Sequence, residues 1–135
     1  MKRARPFYIL ALGRIIPLLT AAPFYSTETL EESMPRFLNA IAYDKIRYYM
    51  REGQMTAFVT WCFLTKEESQ SMDYSWNEVF ARDDGEELWV VDMVALDSVI
   101  SIGKECRNYI FGVTGHKVAY WRRPNGRMGK ATNHG

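Results

Sequence analysis

The sequence predicts an α+β fold, layered, in which helices flank a mixed and mostly antiparallel sheet. Three observations carry this: a continuous apolar run at Leu88–Leu96, an alternating run and a second run either side of Glu52-Gly53-Gln54, and apolar residues at helical spacing before and after them. At 135 residues the chain is expected to form one domain spanning 1–135, large enough for a real core and too small for two.

The N-terminal stretch combines Lys2, Arg3 and Arg5 with an apolar segment from Phe7 to Leu12. Gly13-Arg14 interrupts that segment before a secretory pattern is complete, so a helix from about Pro6 to Leu19 is the better reading. The residues from Thr20 to Tyr25 lack periodicity and form a linker, with Ala22 pushed extended by Pro23. Thr29 and Glu32 have the spacing of a capping box, and Leu30, Met34, Phe37, Leu38 and Ile41 make the stripe of a second helix, which Pro35 is expected to restart or kink.

The runs Lys45–Arg51 and Met55–Leu64 read as an antiparallel hairpin. Thr65 and Glu68 repeat the capping-box spacing and open a short acidic helix. From there to Arg82 the chain reads as irregular, anchored by Trp76, Val79 and Phe80. Leu88–Leu96 is a candidate central strand covered on both faces. Val99, Ile102, Cys106, Tyr109 and Ile110 place a helix over about Ser98 to Phe111, ended by Gly112, and a last hairpin follows around the turn Arg123–Gly126.

Asp92 is the one carboxylate among the nine residues of Leu88–Leu96. Inside a buried strand a carboxylate costs several kcal/mol unless it is paired, hydrogen-bonded or protonated. Either the strand opens onto solvent or a turn at Asp92, or the residue belongs to a site.

Composition narrows the classes. No uncharged apolar stretch reaches 18 residues, so no membrane span is expected. Cys62 and Cys106 sit in apolar contexts, which predicts buried thiols in a reducing, cytoplasmic setting, and two Cys with two His at no close spacing give no metal signature. There is no phosphate loop and no nucleophile elbow. The net charge of +1 hides an asymmetry: Thr65–Asp97 carries ten acids against Lys66 and Arg82, whereas Cys106–Gly135 carries six Lys/Arg and no acid. That basic end, with Lys117, Arg122, Arg123, Arg127 and Lys130, could hold an anionic partner. Tyr120 and Trp121 beside Arg122 and Arg123 would equally suit a nucleic-acid strand.

Two segments, Met55–Thr65 and Leu88–Leu96, together with Pro23-Phe24 upstream and Arg123–Lys130 downstream, resemble the RTX-toxin-activating lysine acyltransferases, the hemolysin-activating family. The resemblance covers about Gly13 to Lys130. It implies a GNAT-like fold, acyl carrier protein loaded with a fatty acyl chain as donor, no bound cofactor, and transfer to internal lysines of a protoxin. It also implies chains that usually continue past the point where this one stops.

The family works with a histidine and an aspartate. Its aspartate falls on Asp92. Its histidine falls on Tyr25, and its upstream serine has no counterpart because Ala22 stands there. A phenol titrates near about 10, so Tyr25 would serve as a hydrogen-bond donor to an oxyanion rather than as a base. An interface or core-edge aromatic is the alternative for Tyr25. His116 beside Gly115 reads as a loop residue, and the terminal His134 is a poor base.

The residues Arg122, Arg123, Arg127 and Lys130 would then dock the carrier protein or the phosphate of its arm. The competing function is an acyltransferase fold that has lost its base and works as a binding or inhibitory partner of another macromolecule, with a homodimer left open.

Overall fold

A computed structural model describes Ile15 and residues 30–96, 99–123 and 126–133. Among these, the elements in chain order are α1 (Leu30–Ala42), β1 (Ile46–Arg51), β2 (Gln54–Leu64), α2 (Lys66–Ser71), α3 (Trp76–Ala81), β3 (Glu87–Ala95), α4 (Val99–Thr114), β4 (Val118–Arg122) and β5 (Met128–Thr132). The strands form one sheet in the order β1-β2-β3-β4-β5, antiparallel except for β3 with β4. This is the expected α+β arrangement, consistent with a GNAT-like layout, and the one parallel pair is bridged by α4 as a parallel pair requires.

The β1–β2 turn uses Glu52 and Gly53, both at positive φ (52° and 78°), the conformation of a primed two-residue turn whose twist matches that of the strands. β2 is apolar on both faces. Phe58, Cys62 and Leu64 join a core with Ile15, with Phe37 and Ile41 of α1, and with Val79 and Phe80 of α3; Val59, Trp61 and Phe63 join a second core with Cys106, Ile110 and Phe111 of α4. So α1 and α3 cover one face of the sheet and α4 the other. Among the described residues, no helix is long and apolar enough to cross a membrane.

Three element boundaries differ from the sequence reading. Helix α1 runs unbroken through Pro35, so the expected restart does not occur. A proline forfeits one ladder bond, and the packing of Phe37 and Ile41, both fully buried, holds the helix across the gap. The segment read as irregular contains α3, whose N-cap Ser75 accepts from the Glu78 N–H at 3.2 Å. Helix α4 passes through Gly112 and ends at Gly115, whose φ of +75° provides the left-handed turn that Gly112 does not make.

One glycine is fixed by its neighbour. A Cβ at Gly129 would fall into the ring of Trp121, its cross-strand partner. Gly129→Ala is therefore expected to destabilise by about 1–3 kcal/mol, read as a lower urea midpoint with unchanged slope.

Candidate functional site

Strand β3 is not regular at the position that matters. Thr60 of β2 pairs with Asp92 but the next residue, Trp61, pairs with Val90, so Val91 is an extra residue and β3 bulges there. Strict alternation from Leu88 and Val90 would send Asp92 toward α4. The bulge shifts the phase by one residue, so Asp92 turns to the α1 side with Trp89 and Val94.

On that side Asp92 is 2% exposed. Its Oδ2 accepts from Arg36 Nε at 2.9 Å and from Thr60 Oγ1 at 3.1 Å, and its backbone N–H donates to Thr60 Oγ1 at 3.0 Å. Thr60 thus grips both the carboxylate and the main chain of the bulge. Arg36, 13% exposed, extends from α1 with its guanidinium 4.9 Å from the Phe37 ring. The reading of Asp92 as a solvent-facing or turn-capping residue is overturned: it is a buried, ion-paired carboxylate. Arg36 and Thr60 are members of the site that sequence reasoning missed.

Beside the bulge lies a pocket of about 90 Å³. Its floor is Cys62 and Leu64 of β2 with Trp89 and Val91 of β3, and its outer wall is Tyr74, Trp76 and Met72. Burial pushes the Cys62 thiol up to about 12 and the Tyr74 phenol up to about 12, so both stay neutral at physiological pH. A neutral buried thiol is no nucleophile, which removes Cys62 as a covalent acyl carrier.

Arg122 stands at the lip. Its guanidinium lies 5.8 Å from the Trp89 ring, which in turn stacks on Tyr120 at 5.5 Å. It donates to the Ser69 and Gly126 carbonyls, both at 3.4 Å, and no carboxylate pairs with it among the described residues. Lys130 pairs with Tyr120 across the β4–β5 hairpin, and Arg123 and Arg127 close its turn through Arg123 N–H to Arg127 O at 2.7 Å. The structure therefore gathers Arg122, Arg123, Arg127 and Lys130 on one hairpin, reaching the pocket through Arg122. The β3–β4 ladder ends at Val90 with Trp121, just before the bulge.

His116 is elsewhere. It stacks on Phe63 at 5.3 Å and bonds Asp84 at 2.6 Å, where the chain enters β3 and β4. Asp92 is five residues into β3 from Glu87, about 17 Å of strand, and on the other face from Phe63. His116 is a loop clasp, as expected. Tyr25, Ala22 and His134 lie outside the described residues.

The outer wall depends on Arg82. It donates to both Glu68 carboxylate oxygens at 2.5 and 2.8 Å and to the Phe63 carbonyl at 3.1 Å, tying α2 to the end of β2. The Thr65 capping box closes the same helix. Hydrogen bonding to Arg82 holds the Glu68 carboxyl down to about 2. A depressed carboxylate contributes stability that is full above its unfolded value of about 4.5 and is lost as pH falls toward 2. Denaturation midpoints are expected to fall over that window, and Arg82→Met to flatten the slope.

No curated protein matches the chain. The sequence profile described as HlyC, the RTX toxin acyltransferase family, matches residues 8–130. That span contains the bulged strand with Asp92, its partners Arg36 and Thr60, the pocket and the basic hairpin. With the match running over nearly the whole chain and the fold agreeing, the protein belongs to the HlyC family of RTX toxin acyltransferases.

Proposed function

We propose that this protein transfers an acyl group from acyl carrier protein to lysine side chains of a toxin precursor. The observation that carries the reading is the arrangement along one face of the sheet: a buried, ion-paired Asp92, an aromatic pocket beside it, and a basic hairpin free of acids at the pocket lip.

In the transfer, the neutral lysine amine attacks the thioester carbonyl carbon, the carbon–sulfur bond breaks, and the proton that the nitrogen loses ends on the departing sulfur, so that the carrier arm leaves as its free thiol. This chain's part is positioning and charge. Asp92, fixed by Thr60 and Arg36, anchors α1 over the bulge and holds a negative charge near the pocket, which favours the positive charge that builds on the attacking nitrogen. Tyr25, just upstream of α1, supplies a hydrogen bond to the carbonyl oxygen. Arg122, Arg123, Arg127 and Lys130 hold the acidic carrier or its phosphate. The protein acts in the cytoplasm, where carrier and precursor meet.

A second reading is favoured by one observation, that Arg36 is committed to Asp92, and is in keeping with the resemblance, which puts Tyr25 at the family's histidine position. In it the scaffold binds a macromolecular partner without transfer.

Affinity purification from bacterial cells, followed by mass spectrometry for acyl-lysine, tests both. Recovery of acyl carrier protein with an acylated protein supports transfer. A stoichiometric, unmodified partner overturns it in favour of binding.

A further inference from the structure

One lysine departs from the others. Among the described residues Lys66, Lys104, Lys117 and Lys130 are exposed, whereas Lys45 is 9% exposed. It joins α1 to β1 and is held through both of its backbone polar groups: its N–H donates to the Ala40 carbonyl at 2.9 Å and its carbonyl accepts from the Trp61 N–H at 3.1 Å. From there the side chain reaches the Phe63 ring, whose centre lies 5.9 Å from Nζ. Phe63 belongs to the core under α4, on the sheet face opposite the one Asp92 turns to.

A buried ammonium ordinarily has a carboxylate against it. Among the described residues none lies at ion-pair distance from Lys45, and its Nζ donates no hydrogen bond. Burial lowers its pKa, and the opposing pulls of Asp83, Cys62 and Asp44 are smaller. The nitrogen is nevertheless not sealed in. The side-chain atoms buried without a partner in this part of the sheet are Arg47 Nε and Tyr49 Oη, so Lys45 Nζ opens to water. An apolar stem gripped by the fold thus presents an unpaired amine at the surface. Acylation relieves that arrangement, because an amide has no charge to desolvate and its carbonyl can face the same water.

We infer that Lys45 is a modification site, whose amine takes an acyl group directly from an acyl thioester without help from Asp92. In this step the nitrogen lone pair attacks the thioester carbonyl carbon, a carbon–nitrogen bond forms and the carbon–sulfur bond breaks. The proton that the nitrogen loses ends on the sulfur, so the products are an Nζ-acylated lysine and a free thiol. The inference does not rest on the transfer reading, since an acyl thioester in solution is sufficient.

The test is incubation of the full chain with excess S-acetyl-pantetheine at about pH 8, below the ordinary lysine pKa of about 10.4. Acetylation at each lysine is followed by peptide mass spectrometry, in the folded chain and in denaturing urea. Exposure alone would rank Lys45 last. It is expected instead to gain acetyl at least about threefold faster than Lys66, Lys104, Lys117 or Lys130 when folded, and at their rate in urea, where its burial is gone. Asp92→Asn is expected to leave the Lys45 rate unchanged.

A smaller lead in the folded chain, or no acetylation at any lysine, overturns the inference. So does a lead that persists in urea, which would come from local sequence rather than from burial. A Lys45 rate that falls in Asp92→Asn overturns it too, since the modification would then be a product of the transfer site.

Discussion

Replacing Arg36 by methionine is expected to lower the unfolding free energy by about 3 kcal/mol. Methionine keeps an apolar stem, so the change removes mainly the guanidinium, which lies 2.9 Å from Asp92 and 4.9 Å from the centre of the Phe37 ring. The Asp92 carboxylate then remains buried at 2% exposure without the Arg36 cation 2.9 Å from it. Thr60 still donates to it, which places the loss at the low end of the range for broken buried pairs. The double variant Arg36→Met/Asp92→Leu is expected to recover most of the loss, because removing both charges leaves neither uncompensated. Urea denaturation of the two variants decides it. If Arg36→Met costs less than about 0.5 kcal/mol, the ion pair is not what holds α1 to the bulge.

Asp92→Asn is expected to act on chemistry rather than on folding. An asparagine oxygen can still accept from Arg36 and Thr60, so the unfolding midpoint should fall modestly while acyl transfer drops by about 100-fold or more. The contrast is with Thr60→Val, which leaves the charge in place and loosens its grip on Oδ2 and on the backbone of the bulge. A transfer rate unchanged in Asp92→Asn would make the carboxylate a structural anchor only.

Much of the fold was legible because its signals are local. The period of two in β1, the apolar run of β2, the Glu52-Gly53 turn and the Thr65 capping box each place an element without help from the rest of the chain. α3 was missed although Ser75 and Glu78 carry the capping spacing, because six residues show too little periodicity. Gly112 signals a stop by residue type alone, because glycine often ends helices, but the left-handed residue is Gly115. Pro35 does not restart the helix, because the two fully buried side chains that follow it hold the next turns to the core.

The site was half legible. Asp92 declared itself as a charge in an apolar strand. Its environment did not, because the direction of a strand side chain depends on the phase set by a bulge, and Val91 differs in no way from its neighbours. Arg36 is one of several charges on an amphipathic helix, and Thr60 is a common strand residue. Only the pairing of β2 with β3, and of α1 with both, brings the three together. The basic hairpin was visible as composition. Its continuity with the pocket runs through Arg122 and the stacked Trp89 and Tyr120, which are far apart in the chain.

The most direct test of the central claim is reconstitution. The purified chain is incubated with acyl carrier protein loaded with butyryl or decanoyl groups and with an RTX toxin precursor fragment, and the intact mass of the fragment is followed. Gain of an acyl mass on a lysine, dependent on this chain and on Asp92, is the expected result. A fragment that stays unmodified with either donor, while the chain still binds the loaded carrier, would contradict transfer and leave a binding protein in its place.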